Sequence, residues 1–185
     1  MKHAPAIAKH HTCFTRARTH FGKSKTQKGQ NLKTLIICVS AHYGNTLKIA
    51  SAMAKVLKAK VIEPKEARNH NIPEYDLVGF GSGIYFGKPE DSLLKIVDKL
   101  PESDKKAFIF STRGRNSLFQ NSYHKHLRQK LIEKNYKVIG EFSCRGFSEH
   151  HKIFKLFGGV NKGHPNSKEL DKARAFALKV AAAAQ

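Results

Sequence analysis

Runs of apolar residues alternate along the chain with segments in which apolar residues recur every three or four positions. The first run, from Leu35 to Val39, is continuous and rich in β-branched residues, which is typical of a strand covered on both faces. From residue 46 to residue 58 the apolar positions recur at helical spacing between lysines, which predicts an amphipathic helix. The pattern therefore begins with a strand, a glycine-containing turn and a helix.

The same alternation continues to the end of the chain. It predicts further strands at 60–63, 76–81, 107–110 and 138–142, and further helices at 93–100, at 118–134 and from 167 onward. Asn166 and Glu169 have the spacing of a capping pair for the last helix, and residues 144–165 show no regular pattern. Five strands joined by helices predict an α/β fold with a doubly wound, five-stranded parallel sheet in the order 2-1-3-4-5.

The first 31 residues have a different composition from the rest. They contain seven Lys and Arg residues, no acidic residue and no sustained apolar periodicity, so we expect a basic, mobile arm at 1–31 before a domain at 32–185. The arm is also compatible with a transit peptide, although four histidines interrupt any amphipathic pattern. Those histidines and Cys13 lack the spacing of a metal site, and none is expected.

The charge of the chain concerns its partners rather than its fold. The 185 residues include 34 Lys and Arg against 14 Asp and Glu, a formal net charge of +20. Such a surface attracts polyanions or acidic proteins, and the attraction weakens as salt rises. The basic residues do not form one stripe interleaved with aromatic residues, so nucleic-acid binding is not favoured.

Cysteine usage and hydropathy indicate a soluble protein in a reducing compartment. The three cysteines, Cys13, Cys38 and Cys144, show no CxxC spacing, and Cys38 lies inside an apolar run. No apolar stretch approaches the roughly 18 residues that a membrane span needs. We expect a cytoplasmic location and no membrane span.

The turn after the first strand has the character of an anion site. It joins a buried strand to a helix, so backbone N–H groups and the positive end of the helix dipole converge there. Gly44 permits close backbone approach, Asn45 tolerates a sharp turn, the hydroxyls of Ser40 and Thr46 can donate, and His42 adds positive charge when it is protonated. The loop is neither a Walker loop nor a Gly-x-Gly-x-x-Gly fingerprint.

Two further loops are expected at the carboxyl ends of neighbouring strands. The second places two adjacent aromatic residues beside two glycines, in the sequence Ser82-Gly83-Ile84-Tyr85-Phe86-Gly87. The third supplies hydroxyls, a cation and a glycine, in the sequence Ser111-Thr112-Arg113-Gly114. Ligands of open α/β sheets bind at this edge, so the three loops are expected to form one site.

These residues resemble the flavodoxin family. The resemblance covers roughly residues 33–180 and rests on a strand, the loop Ser40-Ala41-His42-Tyr43-Gly44-Asn45-Thr46, an amphipathic helix and the two later loops. It implies non-covalent FMN, with the first loop around the phosphate, Tyr85 or Phe86 against the flavin ring, and the third loop on the pyrimidine side. Arg113 there would stabilise negative charge on the reduced flavin. The chain departs from the family in having Ala41 and Tyr43 where flavodoxins often have hydroxyl residues.

The resemblance implies electron transfer between redox partner proteins, and the charge favours acidic partners. No side chain is expected to act as acid, base or nucleophile; Tyr123, His124 and His126 lie on a predicted helix as solvated residues, and Cys144 has no catalytic role. An NAD(P)H-dependent flavin or quinone reductase on the same scaffold is the alternative. A cofactor-free basic binding module is a second alternative, and the oligomeric state stays open.

Overall fold

A computed structural model describes residue 1 and residues 32–114, 123–149 and 159–185. The expectations of a basic arm, of a possible targeting segment and of no metal site at the start of the chain fall on residues 2–31 and lie outside the described residues. The chain divides into two units, Met1–Gln30 and Asn31–Gln185, and the fold described below belongs to the second.

The described residues of this unit form a parallel sheet flanked by helices. In chain order its elements are β1 (Thr34–Cys38), α1 (Asn45–Leu57), β2 (Lys60–Ile62), two 3₁₀ turns (Pro64–Asn69 and Ile72–Glu74), β3 (Leu77–Tyr85), β4 (Lys88–Pro89), α2 (Asp91–Asp98), β5 (Lys106–Arg113), α3 (Lys125–Glu133), β6 (Lys137–Arg145) and α4 (Ser167–Ala184). The parallel strands lie in the order β2-β1-β3-β5-β6, and β4 pairs antiparallel with β3. The predicted doubly wound sheet and its strand order are confirmed, with β4 as an addition.

The carboxyl ends of two strands extend further than the sequence pattern predicts. β3 continues to Tyr85 because Ile84 and Tyr85 pair with β4 across a hairpin, whose turn residues Phe86 and Gly87 have φ values of 49° and 82°. β5 continues to Arg113, since β3 pairs with it as far as Thr112 and β6 as far as Arg113. Most of the second and third predicted loops is therefore strand, and only their last residues form turns.

The element boundaries in the second half of the chain agree in part with the predicted ones. Within the described residues α3 begins at Lys125, preceded by turn residues 123–124, and the predicted start at 118–122 lies outside them. β6 runs through Arg145, so residues 144–145 belong to a strand where an irregular segment was expected. Helix α4 begins at Ser167 as predicted.

The sheet separates two apolar cores. On one face β-strand residues pack against α2 and α3, with Leu93, Val97, Leu127 and Leu131 fully or almost fully buried. On the other face the strands pack against α1 and α4, through Ile49, Met53, Ala173 and Ala177 among others. Both faces of the strands are thus covered, which explains their continuous apolar runs.

Glycines in β3 make room for aromatic rings of the neighbouring strand. Phe108 and Phe110 on β5 are fully buried, and their rings lie where side chains at Gly79 and Gly81 would otherwise stand. The two rings stack with centroids 6.1 Å apart. The central strands therefore depend on the absence of a Cβ atom at both glycines.

No helix among the described ranges has the length and apolar character required to cross a membrane.

The predicted capping pair of the last helix is confirmed. The side chain of Asn166 accepts from the backbone N–H groups of Lys168 and Glu169, and Glu169 in turn accepts from the N–H of Asn166 at 2.8 Å. We expect Asn166→Ala to lower the free energy of unfolding by about 1 kcal/mol, because two helix-terminal donors lose their acceptor. Urea denaturation measures this, with the exposed Ser167→Ala as control. Equal stability of the two variants would contradict the cap.

Candidate functional site

The loop between β1 and α1 turns sharply just before the helix begins. Tyr43 and Gly44 have φ values of 55° and 66°, and Asn45 is already the first helical residue. Asn45 was expected to lie in the sharp turn, but Tyr43 and Gly44 form that turn. The Ser40 hydroxyl accepts from the backbone N–H of Leu47 at 3.2 Å. Its own proton stays available for an anion at the start of α1.

Thr46 connects this loop to the end of β5. Its hydroxyl lies 2.8 Å from the hydroxyl of Thr112, and both residues are buried. The predicted role of Thr46 was donation to a phosphate. In the structure this hydroxyl joins the first turn of α1 to β5, so Thr46 helps to fix the position of the helix N-terminus relative to the sheet.

Asn45 connects the loop to the segment after β6. Its side-chain amide donates to the backbone carbonyl of Phe147 at 2.7 Å, while its Oδ1 atom is buried without a hydrogen-bond partner in the described residues. A Cβ atom at Gly146 would stand 3.0 Å from the Asn45 amide nitrogen, so a glycine lets the two segments approach. A buried unpaired acceptor is costly and marks a place where a donor group would fit.

Tyr43 makes the second contact with the segment after β6. Its hydroxyl donates to the Glu149 carboxylate at 2.7 Å, and its ring meets the Phe147 ring edge-on at 4.7 Å. The hydrogen bond to Glu149 raises the pKa of the Tyr43 phenol. Tyr43 nevertheless keeps 51% of its surface exposed, so an aromatic face stands at the mouth of the loop.

The second predicted segment contributes two aromatic residues of different exposure. Tyr85 folds back over Gly83, where a Cβ atom would stand 2.7 Å from the tyrosine oxygen, and its ring faces that of His42 edge-on at 5.6 Å. Burial raises the pKa of the Tyr85 phenol. Phe86, at the tip of the hairpin, is 84% exposed. Phe86 thus presents an aromatic face at the tip of the hairpin, where a planar ring could pack against it.

The other residues of this segment hold the hairpin together. The buried Ser82 hydroxyl donates to the carbonyl of Gly83 at 2.7 Å and accepts from the N–H of Glu90 at 3.1 Å. Ile84 pairs with Pro89 in the hairpin. Ser82 is thus occupied in fixing the turn that presents Phe86.

The third predicted segment is the end of β5 and its exit. Ser111, Thr112 and Arg113 are buried, and the carbonyl of Gly114 accepts from the Asn161 amide at 2.6 Å. The Arg113 guanidinium donates to the Ser143 hydroxyl at 2.6 Å, while its Nε atom is buried without a partner in the described residues. A buried guanidinium with a spare donor fits an anionic or carbonyl acceptor at this edge.

His124 joins the site although the sequence pattern predicted a solvated histidine. It is 2% exposed at the start of α3, because its ring turns inward between Ser111 on β5, at 2.8 Å, and Glu141 on β6, at 3.1 Å. Burial lowers the pKa of its imidazole, opposed by Glu141. The one hint in the sequence was Glu141, a single acid inside an apolar strand pattern, which calls for a polar partner.

The cysteines of the described residues carry no reactive thiolate. Burial raises the pKa of both Cys38 and Cys144 to about 12. Both are free thiols and lie in the core beneath α1 and α4. Thiols with so high a pKa stay protonated at neutral pH.

Comparison with known proteins shows the family to which the chain belongs. The family model described as a flavodoxin domain matches residues 36–157. The chain belongs to the flavodoxin domain family. An uncharacterized protein of Methanocaldococcus jannaschii is 46% identical to it over 149 residues, which are 80% of this chain and 98% of that protein. The recognition of the family from the sequence is thereby confirmed.

Solved structures agree on the flavodoxin fold. Oxidised flavodoxin 2 from Bacillus cereus has a TM-score of 0.61 at 17% identity, over 82% of this chain and 99% of that one. A flavoprotein from Lactobacillus acidophilus, in complex with FMN, has a TM-score of 0.51 at 18% identity, over 60% of this chain and 93% of that one.

The structure brings parts of all three predicted segments together at the carboxyl edge of the sheet. His42 touches Tyr85, Thr46 touches Thr112, and Gly114 shares Asn161 with Gly146. Phe147, Glu149 and His124 are additions to the predicted set. Their contacts span 13 to 106 residues of sequence, and only the folded sheet makes those distances short.

Proposed function

We propose that this flavodoxin-family chain binds FMN without a covalent bond and carries electrons between redox proteins. The observation that carries the proposal is a pair of exposed aromatic residues, Tyr43 and Phe86, on the turns beside the N-terminus of α1. A helix N-terminus with a glycine turn suits a phosphate, and exposed aromatic faces suit a planar ring. FMN has both groups.

The donor set of the site fits that cofactor. The unpaired Oδ1 atom of Asn45 and the unpaired Nε atom of Arg113 provide one buried acceptor and one buried donor, and the Ser40 hydroxyl adds a second donor. Burying a flavin against Tyr85 or Phe86 would remove apolar surface from water and add about 0.5 to 1.5 kcal/mol per aromatic pair. The FMN found in the Lactobacillus flavoprotein is consistent with this proposal.

FMN supplies the one-electron and two-electron chemistry when it is bound. The residues of the chain would bind and orient it: the N–H groups at the start of α1 and the Ser40 hydroxyl would donate to the phosphate, and Tyr43 with Tyr85 or Phe86 would lie against the ring. Arg113 places positive charge at the end of β5. His124 is neutral at physiological pH because its pKa is lowered, so it adds no charge there. None of these roles requires a side chain to form a covalent bond with a substrate.

Two assays separate an electron carrier from a reductase. We expect the FMN-loaded protein to oxidise NADH or NADPH no faster than free FMN, and to pass electrons to a ferredoxin-like acidic protein once reduced. Rapid NAD(P)H consumption by the isolated protein would instead assign a reductase. A colourless protein that does not bind added FMN would favour the cofactor-free binding module.

The positive charge of the chain should shift the second reduction potential of the flavin. Subtracting the seven positive charges of residues 1–31 from +20 leaves +13 for the remainder. We expect a second potential less negative than is usual for flavodoxins, because a basic surface stabilises a reduced anion. Lys48 is exposed on the first turn of α1 and Arg145 is exposed at the end of β6, so substitution of either residue tests this effect of charge on the potential.

The charge effect can be measured one residue at a time. At a distance of about 10 Å in a water-like dielectric each unit of charge is worth roughly 0.4 kcal/mol, or roughly 20 mV. Lys48→Glu and Arg145→Glu should each lower the second potential by about twice that amount, whereas Lys137→Glu, exposed at the amino end of β6 and thus at the opposite edge of the sheet, serves as the distant control. Potentiometric titration checks this, and an unchanged potential in both site variants would refute it.

Partner and compartment follow from the same surface. We propose acidic redox partners, whose association should weaken steeply as salt rises because exposed charges are screened. Two free, buried thiols support a reducing compartment such as the cytoplasm. A rate of partner reduction that does not change with salt would count against the electrostatic part of this proposal.

A further inference from the structure

A chain of hydrogen bonds runs from Arg113 to Glu141 through three neutral groups. The Arg113 guanidinium meets the Ser143 hydroxyl at 2.6 Å, which lies 2.9 Å from the Ser111 hydroxyl. The Ser111 hydroxyl lies 2.8 Å from Nε2 of His124, whose Nδ1 lies 3.1 Å from the Glu141 carboxylate. A cation and an anion are therefore connected across the ends of β5 and β6.

The chemistry of the two ends fixes where the protons lie. Glu141 accepts from Arg128 at 2.7 Å and, as a carboxylate, can only accept, so Nδ1 of His124 carries a proton. At the other end Arg113 can only donate, so Ser143 accepts. With a neutral imidazole, Ser143 donates to Ser111 and Ser111 donates to Nε2. Every hydroxyl proton and ring nitrogen between Arg113 and Glu141 then has a partner.

Protonation of His124 breaks this order. A proton on Nε2 makes that atom a donor, so Ser111 must turn its own proton toward Ser143, which already accepts from Arg113. The hydroxyl proton of Ser143 then loses Ser111 as its acceptor. The new charge also faces two cations, Arg113 on β5 and Arg128 on α3, with Glu141 on β6 as the only acid among the described residues in contact with it.

We infer that His124 is a positioning residue of the proposed flavin site, which acts through Ser111 and Ser143 to hold the Arg113 guanidinium at the carboxyl end of β5. The inference rests on the proposed function for its ligand, whereas the hydrogen bonds between Arg113 and Glu141 are present in the flavin-free protein. Neutral His124 keeps Arg113 in place at physiological pH. A protonated His124 repels the Arg113 guanidinium and reverses the hydrogen bond between Ser111 and Ser143, so flavin retention falls as His124 takes up a proton.

The direction of the pH dependence follows from the lowered pKa. The folded protein favours the neutral imidazole, so His124 stabilises the fold above the ordinary histidine pKa of 6.5, and this contribution is lost as the pH falls from there through the lowered pKa. Flavin affinity should decline in the range just around the lowered pKa. The FMN phosphate also titrates, near about pH 6, and adds a pH dependence that is common to all variants.

Two substitutions of His124 separate positioning from packing. In His124→Gln the side-chain carbonyl can reach the Nε2 position and accept from Ser111, but it does not titrate. In His124→Asn the shorter amide can donate to Glu141 but cannot reach Ser111. His126→Gln, at an exposed position on α3, is the matched control.

FMN titration followed by flavin fluorescence, from about pH 8 to about pH 5, gives the first readout. We expect His124→Gln to bind like the natural chain near neutral pH and to lack its extra loss in acid, which amounts to at most about tenfold per pH unit for one linked proton. We expect His124→Asn to bind about tenfold more weakly at neutral pH. Natural affinity and an unchanged pH profile in both variants would overturn the inference.

NMR of the FMN-free protein gives the second readout and does not depend on the proposed function. The Arg113 Nε resonance should shift with the same midpoint as the His124 imidazole, below the ordinary histidine pKa of 6.5. An Arg113 resonance that ignores that midpoint overturns the inference even if FMN binds. If the Arg113 and His124 resonances share a midpoint but the protein does not bind FMN, the proposed function is refuted and the positioning of Arg113 by His124 is supported.

Discussion

Replacement of Asn45 by alanine together with Thr46 by valine is expected to abolish FMN retention during purification. Thr46 holds the first turn of α1 to β5 through Thr112, and Asn45 holds it to the Phe147 carbonyl. Without these bonds the helix N-terminus is no longer fixed against the sheet, and the phosphate loses its aligned donors. One buried and one partly buried hydrogen bond, at about 1 to 1.5 kcal/mol each, correspond to a loss of affinity on the order of a hundredfold.

Three variants control for a general loss of structure. Ser51→Ala lies on the exposed face of the same helix and should retain FMN. Thr46→Ser keeps the hydroxyl that pairs with Thr112 and should retain most of the affinity. Circular dichroism checks that the double variant stays folded. A folded double variant that remains yellow after dialysis would refute the assignment of the phosphate to the start of α1.

The largest effect on stability is expected from Gly81→Ala. A methyl group at Gly81 would overlap the fully buried Phe110 ring, which stacks on Phe108. We expect the free energy of unfolding to fall by about 3 kcal/mol, at the upper end of the usual cost of overpacking. Equilibrium unfolding in urea measures it.

A second substitution shows whether the clash with Phe110 is the cause. Phe110→Leu removes part of the ring, so the double variant Gly81→Ala with Phe110→Leu should lose less stability than the two single losses added together. Gly140→Ala on β6 is the matched glycine control, because a Cβ atom there would stand 3.0 Å or more from the ends of the Val180 and Phe176 side chains. Additive losses, or a loss at Gly81 no larger than at Gly140, would exclude the clash.

The fold could be predicted from the sequence because its signals are local. The β-branched run before Ser40 and the helical spacing after it define β1 and α1, and Asn166 with Glu169 defines the start of α4. The hairpin after β3 was missed since Phe86-Gly87 is an unusual pair for a turn with two positive φ values, which asparagine or aspartate before glycine more often signals.

The candidate site could be predicted in position but not in its internal contacts. Parallel strands place their carboxyl ends at one edge, so the meeting of Thr46 with Thr112 follows from topology. The inward turn of His124 does not, because it depends on Ser111 and Glu141 standing on adjacent strands in register. Pairing of Ile109 with Glu141 and of Ser111 with Ser143 sets that register, and no local pattern encodes it.

Titration of the purified, flavin-free protein with FMN tests directly whether the loop after β1 and the aromatic turns form a flavin site. We expect saturable quenching of flavin fluorescence at one FMN per chain and a yellow protein after removal of free flavin. Riboflavin, which lacks the phosphate, should bind much more weakly. Fluorescence that does not change on addition of the protein, with a colourless product, would show that these loops do not form a flavin site.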